Sequence, residues 1–275
     1  MVFQAMTYKY FFGSDKRSVP YLDFLSREIN ELVVITTKPK ISGRGNKLRT
    51  NPVEDFCLKN DIIFKYFDES EKYSDMEYGI CVSFGAIFKD YFLNSNPPIF
   101  NIHLSRLPEL RGPSPVETSI LNGNTLFSYT MFKIVKEIDE GPILYQNDVE
   151  VLDNYSSNVY KAVLEDFIRS FKSIDFKSPL QIQEGNVSVT SKFVKTDYMI
   201  SKEDTIYEAK NKIKAFDILG PAYIQYESKI IKIHKYTEDN SDFKYELKDG
   251  NLYLDEITPE GKNKMTANDY IRGRQ

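Results

Sequence analysis

YKYFFGSDKRSVPYLDFLSREINELVVITT, residues 8–37, decides the fold class. It opens on a short aromatic strand, Tyr8–Phe12, that ends at a Gly13-Ser14 turn. From Val19 to Ile29 the apolar residues Leu22, Leu25 and Ile29 recur at helical spacing. Glu31–Thr37 is apolar and β-branched, which predicts a buried strand. Strand, helix and strand joined by short links begin a parallel sheet, because the crossover must lay its helix on the sheet face.

The alternation continues toward the C-terminus. Lys38–Thr50 holds Pro39, Gly43 and Gly45 with almost no apolar residues, so a mobile loop is expected there. Asn51-Pro52-Val53-Glu54 predicts a helix start with Asn51 as N-cap, Pro52 as first residue and Glu54 as reciprocal cap. That helix should run to about Lys59. Ile62–Phe67, Gly79–Ser83 and Ile99–Leu104 read as further strands, Ser114–Leu121 as a short helix, and Phe127–Val135 and Ile143–Val151 as two more strands. Tyr78–Phe88 is the longest mostly apolar stretch and reads as strand plus helix start. Asn154–Ile174 is the clearest helix, with Val159, Val163, Leu164, Phe167, Ile168 and Phe171 on one stripe. The pattern loosens over 180–204. A short helix from Thr205 then precedes period-two runs at Ala222–Tyr226, Ile230–His234, Lys244–Leu247 and Leu252–Leu254, a small antiparallel barrel or sheet.

Composition removes several function classes. The 275 residues carry a formal net charge of −4, so there is no global basic field and any nucleic-acid contact must come from local patches. Cys57 and Cys81 are the only cysteines; both fall in apolar segments and read as core thiols, with no disulfide framework or zinc site. No apolar run approaches the ~18 residues that a membrane span needs, and no basic segment leads into an apolar one at the N-terminus. A cytoplasmic location is expected, or an organellar matrix if the source is eukaryotic.

Chemistry concentrates at Asn101-Ile102-His103. On a strand, residues two apart face the same side, so Asn101 and His103 project together from the C-terminal end of a parallel strand. Open α/β sheets bind their ligands at that edge. Ser105-Arg106-Leu107-Pro108-Glu109-Leu110-Arg111-Gly112-Pro113-Ser114-Pro115 follows, and its three prolines and one glycine fix a loop beside the strand end. Further on, Ile138-Asp139-Glu140-Gly141-Pro142 places an acid in a Gly-Pro turn that could return to the same edge. An amide donor, an imidazole and a carboxylate gathered there can stabilise an oxyanion and move a proton. Either feature alone is more often structural than catalytic. What favours chemistry is that His103 is one of only two histidines and sits at the favoured edge.

The segment from Phe100 to Pro115 resembles the signature of the folate-dependent formyltransferases, an Asn–x–His followed by Ser, Leu, Pro and an Arg-Gly pair. Ile138-Asp139-Glu140-Gly141-Pro142-Ile143-Leu144 is similar to that family's downstream aspartate segment. Three stretches resemble the branch that acts on methionyl-tRNA: Ser42–Leu48 with Pro52-Val53, Asn211–Phe216 with Gly220–Tyr223, and Pro259–Met265 with Tyr270–Gly273. Arg106 departs from the pattern, standing where the family usually has Leu, and the C-terminal β region is short.

The resemblance implies a Rossmann-like catalytic domain over residues 1–180, a linker over 181–204, and a small, shortened, OB-like C-terminal β-barrel over 205–275 that binds tRNA. It implies formyl transfer from 10-formyltetrahydrofolate to the α-amine of charged initiator tRNA, without a metal, by a monomer. Asn101, His103 and Asp139 would be catalytic. Protonated His103 would donate to the oxyanion beside Asn101, with Asp139 orienting it. Phe84, Gly85, Ala86, Ile87 and Ile138 would line the folate site, although Phe84 and Ile87 read equally well as core. Arg44, Lys47, Ser105, Leu107, Pro108, Arg111 and Gly112 would meet the acceptor. Lys38, Lys40, Arg44, Lys47 and Arg49 form a basic run without an acid, which is more often only a solvated face. Lys229, Lys232 and Lys235 are candidate phosphate contacts, and His234 reads as a surface strand residue. Two alternatives stay open: an N-formyltransferase for a nucleotide-linked amino sugar, and a non-catalytic RNA- or folate-binding relative.

Overall fold

The computed structural model describes residues 7–42, 47–239 and 241–273. Residues 8–37 fold as read: strand β1 (Tyr8–Gly13), helix α1 (Val19–Glu28) and strand β2 (Leu32–Thr36). Pro20 stands in the first turn of α1, where no backbone donor is needed, and Tyr21, Leu22, Phe24 and Leu25 form its buried face. β1 and β2 pair in parallel, with Tyr10 opposite Val33 and Phe12 opposite Ile35.

The stretch expected as a loop contains a hairpin. β3 (Lys40–Ser42) pairs antiparallel with β4 (Lys47–Arg49), Lys40 opposite Arg49. Three-residue strands in a stretch with so few apolar residues print no period in the sequence. Helix α2 (Pro52–Lys59) begins as expected: the Asn51 carboxamide accepts from the backbone N–H of Val53 at 3.0 Å and Glu54 at 3.1 Å. Glu54 does not return the cap. It is buried instead and accepts a hydrogen bond from the Tyr66 hydroxyl at 2.8 Å.

There follow β5 (Phe64–Tyr66), β6 (Met76–Val82), α3 (Asp90–Ser95), β7 (Ile99–His103), α4 (Pro115–Leu121), β8 (Leu126–Lys133), β9 (Ile143–Glu150) and α5 (Ser156–Ser170). No helix starts within Tyr78–Phe88: beyond Val82 the chain turns through Ser83 and Gly85, both at positive φ, and α3 waits until Asp90. The seven-stranded sheet has the order β5-β2-β1-β6-β7-β8-β9. Its first five strands are mutually parallel and β8 runs antiparallel to β7.

The chain forms two compact units that are not consecutive in sequence. The first comprises residues up to Arg111, Ser128–Asp148 and Leu164–Ser188; the second comprises Gly112–Phe127, Val149–Val163 and everything from Val189 on. In the first unit Tyr10, Phe12, Tyr73, Phe84, Phe88 and Phe92 make an aromatic core on one sheet face. Phe167 packs edge-on or tilted against Tyr21, Phe24 and Tyr129 in a second cluster. Burying each such ring contributes roughly 1.5–3 kcal/mol. The α5 stripe is narrower than its sequence suggests: Val159, Val163 and Phe167 are fully buried at i, i+4 and i+8, whereas Ile168 is 36% exposed.

The second unit holds α6 (Ile206–Ala215), β10 (Tyr223–Tyr226), β11 (Lys229–Thr237), β12 (Lys244–Leu247), β13 (Gly250–Pro259), β14 (Met265–Thr266) and α7 (Ala267–Arg272). Thr205 and Glu208 close a reciprocal cap at the start of α6. The strands are antiparallel in the order β10-β11-β13-β12, with β14 on β13. The β11–β13 register shifts on both sides of Lys235. Such irregularities increase strand twist, and the sheet curls into a half-barrel. Ile224, Ile231, Ile233, Leu252, Leu254 and Ile257 supply its buried side, with Ile213 and Phe216 from the α6 segment. Among the described residues no helix is long and apolar enough to cross a membrane.

Candidate active site

β7 delivers Asn101 and His103 to one face. Their neighbours across the sheet are Cys81 on β6, opposite Asn101, and Phe132 and Thr130 on β8, opposite Asn101 and His103. His103 is buried, with 7% of its side chain exposed, and Asn101 is half-buried. Among the described residues no side chain or backbone group hydrogen-bonds the Asn101 carboxamide, so its N–H groups are available to a ligand.

The loop after β7 aims one acceptor at the imidazole. Leu110 is held at φ 55°, and its carbonyl lies 2.9 Å from His103 Nε2. A carbonyl only accepts, so Nε2 carries the proton in this contact. The loop is fastened from beneath. The Thr130 hydroxyl donates to the Ser105 carbonyl at 2.6 Å and accepts from Leu107 N–H at 3.2 Å. The Gln146 amide donates to Thr130 Oγ1 at 2.8 Å and to the Leu107 carbonyl at 3.1 Å. The Ser105 hydroxyl spans the turn to the Glu109 carbonyl at 2.6 Å.

Asp139 comes from the β8–β9 connection. Lys133 N–H donates to the Pro142 carbonyl at 2.9 Å and closes its base. Gly141 is obligatory there, since a Cβ would lie 1.7 Å from the Lys133 carbonyl oxygen. Asp139 itself adopts φ 56°, a left-handed conformation that Asp tolerates better than most residues. Its Oδ2 lies 3.6 Å from His103 Nδ1, an ion-pair separation rather than a hydrogen bond. The structure thus joins two separate sequence segments at the imidazole. Residues in left-handed conformations, Leu110 and Asp139, flank it on both sides, the kind of local strain that clusters at functional sites.

Cys81, beside Asn101 in the sheet, is no nucleophile. Burial first, and then the Asp139 charge, push its thiol well above the ordinary range. Cys57 is pushed up to about 11 by burial and by Glu54, in keeping with a core thiol.

The other expected site residues divide. Phe84 is buried in the aromatic core, against Phe12, Phe67 and Phe88, so its side chain serves packing. Its backbone remains in the turn at the C-terminal end of β6, where Gly85 has φ 72° and the Ser14 hydroxyl donates to the Phe84 carbonyl. Ala86 packs partly on the same core, while Ile87 and Ile138 are 78% and 69% exposed. Ser105, Leu107 and Pro108 are buried within the loop, as His103 is beside it. Gly112 has φ 99°, and a Cβ there would meet the Thr190 carbonyl at 3.0 Å. Arg106 pairs with Asp148 at 2.9 Å. Lys47 lies on β4, and Arg44 lies outside the described residues. His234 is half-buried rather than a free surface group, its Nε2 2.8 Å from the Thr258 hydroxyl.

Sequence reading missed Gln183 and Ser188, both in the expected linker. Gln181 exchanges backbone hydrogen bonds with Ile143 at 2.7 and 2.8 Å. The Gln183 amide donates to the carbonyls of Asp139 and Gly141, each at 2.8 Å, and accepts from Arg111 at 2.8 and 3.1 Å. Arg111 also pairs with Glu140 at 3.0 Å. The Ser188 hydroxyl accepts from Leu110 N–H at 2.8 Å, and its carbonyl from Arg111 N–H at 2.9 Å. A lone polar residue in an aperiodic stretch gives no signal in sequence.

The first unit is thus an α/β fold that brings an amide and an imidazole at a strand end together with a carboxylate from the β8–β9 connection. In comparison with known proteins, residues 22–169 match the formyl transferase family model, and the chain belongs to that family. It is 30% identical over 234 residues to the methionyl-tRNA formyltransferase of Thermosipho melanesiensis, covering 81% of this chain and 77% of that protein. The fold also matches the methionyl-tRNA formyltransferase of Clostridium thermocellum, with a TM-score of 0.65 at 16% identity over 92% of this chain and 99% of that one. A sugar 3N-formyl transferase, WlaRD, solved in the presence of dTDP and 5-N-formyl-THF, matches with a TM-score of 0.68 at 21% identity over 94% of this chain and all of that one.

Proposed function

We propose that this protein transfers the formyl group of 10-formyltetrahydrofolate to the α-amine of methionyl-tRNA, the step that formylates initiator tRNA for translation, and does so in the cytoplasm as a monomer. The observation that carries the chemistry is the His103–Asp139 pair beside the available amide of Asn101. The acceptor is supported by the methionyl-tRNA formyltransferase relative aligned along most of the chain.

The folate co-substrate supplies an activated formyl carbon. Asn101 donates its side-chain N–H to the oxygen on which negative charge develops. His103 works through Nδ1, because Nε2–H is committed to the Leu110 carbonyl. This reassigns the imidazole from oxyanion donor to proton carrier. An aminoacyl-ester amine titrates below the ~7.7–8.0 of a free α-amine, so much of it is already free base near neutral pH. Nδ1 takes its proton as the new C–N bond forms and returns it to the departing folate nitrogen. Asp139, with its carboxylate 3.6 Å from Nδ1, stabilises the imidazolium between those events by its charge. The Ser83–Ile87 turn offers backbone groups to the pterin edge. Arg44 and Lys47 meet the acceptor stem, and the loop from Ser105 to Gly112 shapes the pocket wall.

The test is formyl transfer from 10-formyltetrahydrofolate to charged initiator tRNA, run in parallel with a nucleotide-linked amino sugar. Turnover is expected only on the tRNA. Turnover confined to the amino sugar overturns the acceptor, and none on either overturns the enzyme reading.

A further inference from the structure

We infer that Gln183 is a positioning residue of the transfer reaction: its amide clamps the backbone on both sides of Glu140 and so holds the Asp139 carboxylate against His103. The inference rests on the formyl-transfer reading above. Every polar atom of the Gln183 side chain is committed to this one task. An amide nitrogen has two hydrogens, and the two acceptors at 2.8 Å are the carbonyls of Asp139 and Gly141. The amide oxygen accepts from Nε and Nη2 of Arg111. Carbonyls only accept and a guanidinium only donates, so the orientation of the amide is unambiguous.

Position makes the clamp specific. Gln183 is the half-buried residue in a run, 181–189, that is otherwise exposed. Arg111 in turn pairs with Glu140, so side chain, guanidinium and carboxylate close a ring around residues 139–141. Asp139 needs such a restraint, because it is held at φ 56° and an unrestrained turn would relax toward commoner conformations. Arg111 also links the clamp to the other side of the imidazole. Its backbone N–H is bonded to Ser188, and its chain neighbour Leu110 supplies the carbonyl on His103 Nε2. Gln183 therefore couples the two acceptors that bracket the ring.

Two variants separate this role from mere seating of Arg111. Gln183→Ala removes the whole clamp. Gln183→Glu keeps an acceptor for Arg111 but has no N–H for the two carbonyls. Both are expected to lower kcat on charged tRNA on the order of tenfold to a hundredfold, the cost of about 1 Å of misplacement at a reacting group. KM for tRNA and for 10-formyltetrahydrofolate should stay within about twofold of wild type, since uniform binding is untouched. Adding Gln183→Ala to Asp139→Asn should slow the enzyme no further than Asp139→Asn alone, because the clamp acts through that carboxylate. Should Gln183→Ala melt far below wild type, Gln183→Glu decides alone. Wild-type kcat in Gln183→Glu, or full multiplicative loss in the double variant, overturns the inference. An Asp139→Asn enzyme with wild-type turnover overturns the catalytic reading instead, so the two failures are distinguishable.

Discussion

At the scale of single residues, the proposed chemistry gives Asn101, His103 and Asp139 separable roles that substitution can read. Asn101→Ala, His103→Ala and Asp139→Ala are each expected to lower kcat by about two to three orders of magnitude, the usual loss for an oxyanion donor or a proton relay. Melting temperatures should change little for Asn101→Ala, whose carboxamide makes no hydrogen bond among the described residues. A variant of the three with near-wild-type turnover loses its assigned role. Asn101 and His103 were legible in the sequence because a strand's period of two is rigid: once Ile99–Leu104 is read as a strand, residues 101 and 103 must share a face. Asp139 was legible only through its Gly-Pro turn and the family resemblance. Which His103 nitrogen meets the protein backbone was not legible. It depends on a left-handed Leu110, whose conformation no side-chain pattern announces.

Elements carry the next predictions. The β3–β4 hairpin displays Lys40 and Arg49 as exposed residues, and the basic residue Arg44 falls between its two strands in sequence. Arg44→Ala should raise KM for charged tRNA several-fold and leave KM for the folate donor alone, because phosphate contacts position a nucleic acid without doing chemistry. Identical tRNA kinetics in wild type and variant would return the run to a solvated face. On β11, burial first, and then Lys264 and Lys232, hold His234 below the ordinary histidine value, against a weaker pull from Glu256 and Asp217. The unfolded chain then binds the proton more readily. The stability contributed is complete above about pH 6.5 and is lost as pH falls through the lower folded value. His234→Gln should therefore flatten the fall in melting temperature between about pH 7 and 5, above the range where most carboxylates titrate. Parallel wild-type and variant curves refute it. Strands and helices with long periodic stretches were readable; the hairpin was not, because its pairing rests on three residues a side.

On the scale of the whole chain, the two compact units interleave in sequence, and this changes what a truncation can test. A boundary near residue 180 follows from the loosening of the hydrophobic pattern, yet Gln181, Gln183 and Ser188 lie beyond it and fasten the Asp139 turn and the loop after β7. The same cut leaves Gly112–Phe127 and Val149–Val163 without the rest of their unit. A chain ending at 180 should thus lose turnover on any acceptor, along with cooperative melting, rather than lose tRNA affinity alone. The role of the C-terminal sheet needs full-length variants. Lys235 is held by Glu256 at 3.2 Å, while Lys229 and Lys232 are exposed on the same strand. With a net charge of −4 the protein has no general attraction for a polyanion, so any salt dependence must arise from local contacts of this kind. Replacing Lys229 and Lys232 with Ala together should raise KM for charged tRNA at fixed kcat. It should also make the fall of log affinity with log salt shallower, by up to about one unit for each lysine that meets a phosphate. An unchanged slope with unchanged KM means that the sheet does not touch the acceptor's backbone, and the basic hairpin is then left as the surface that reads tRNA.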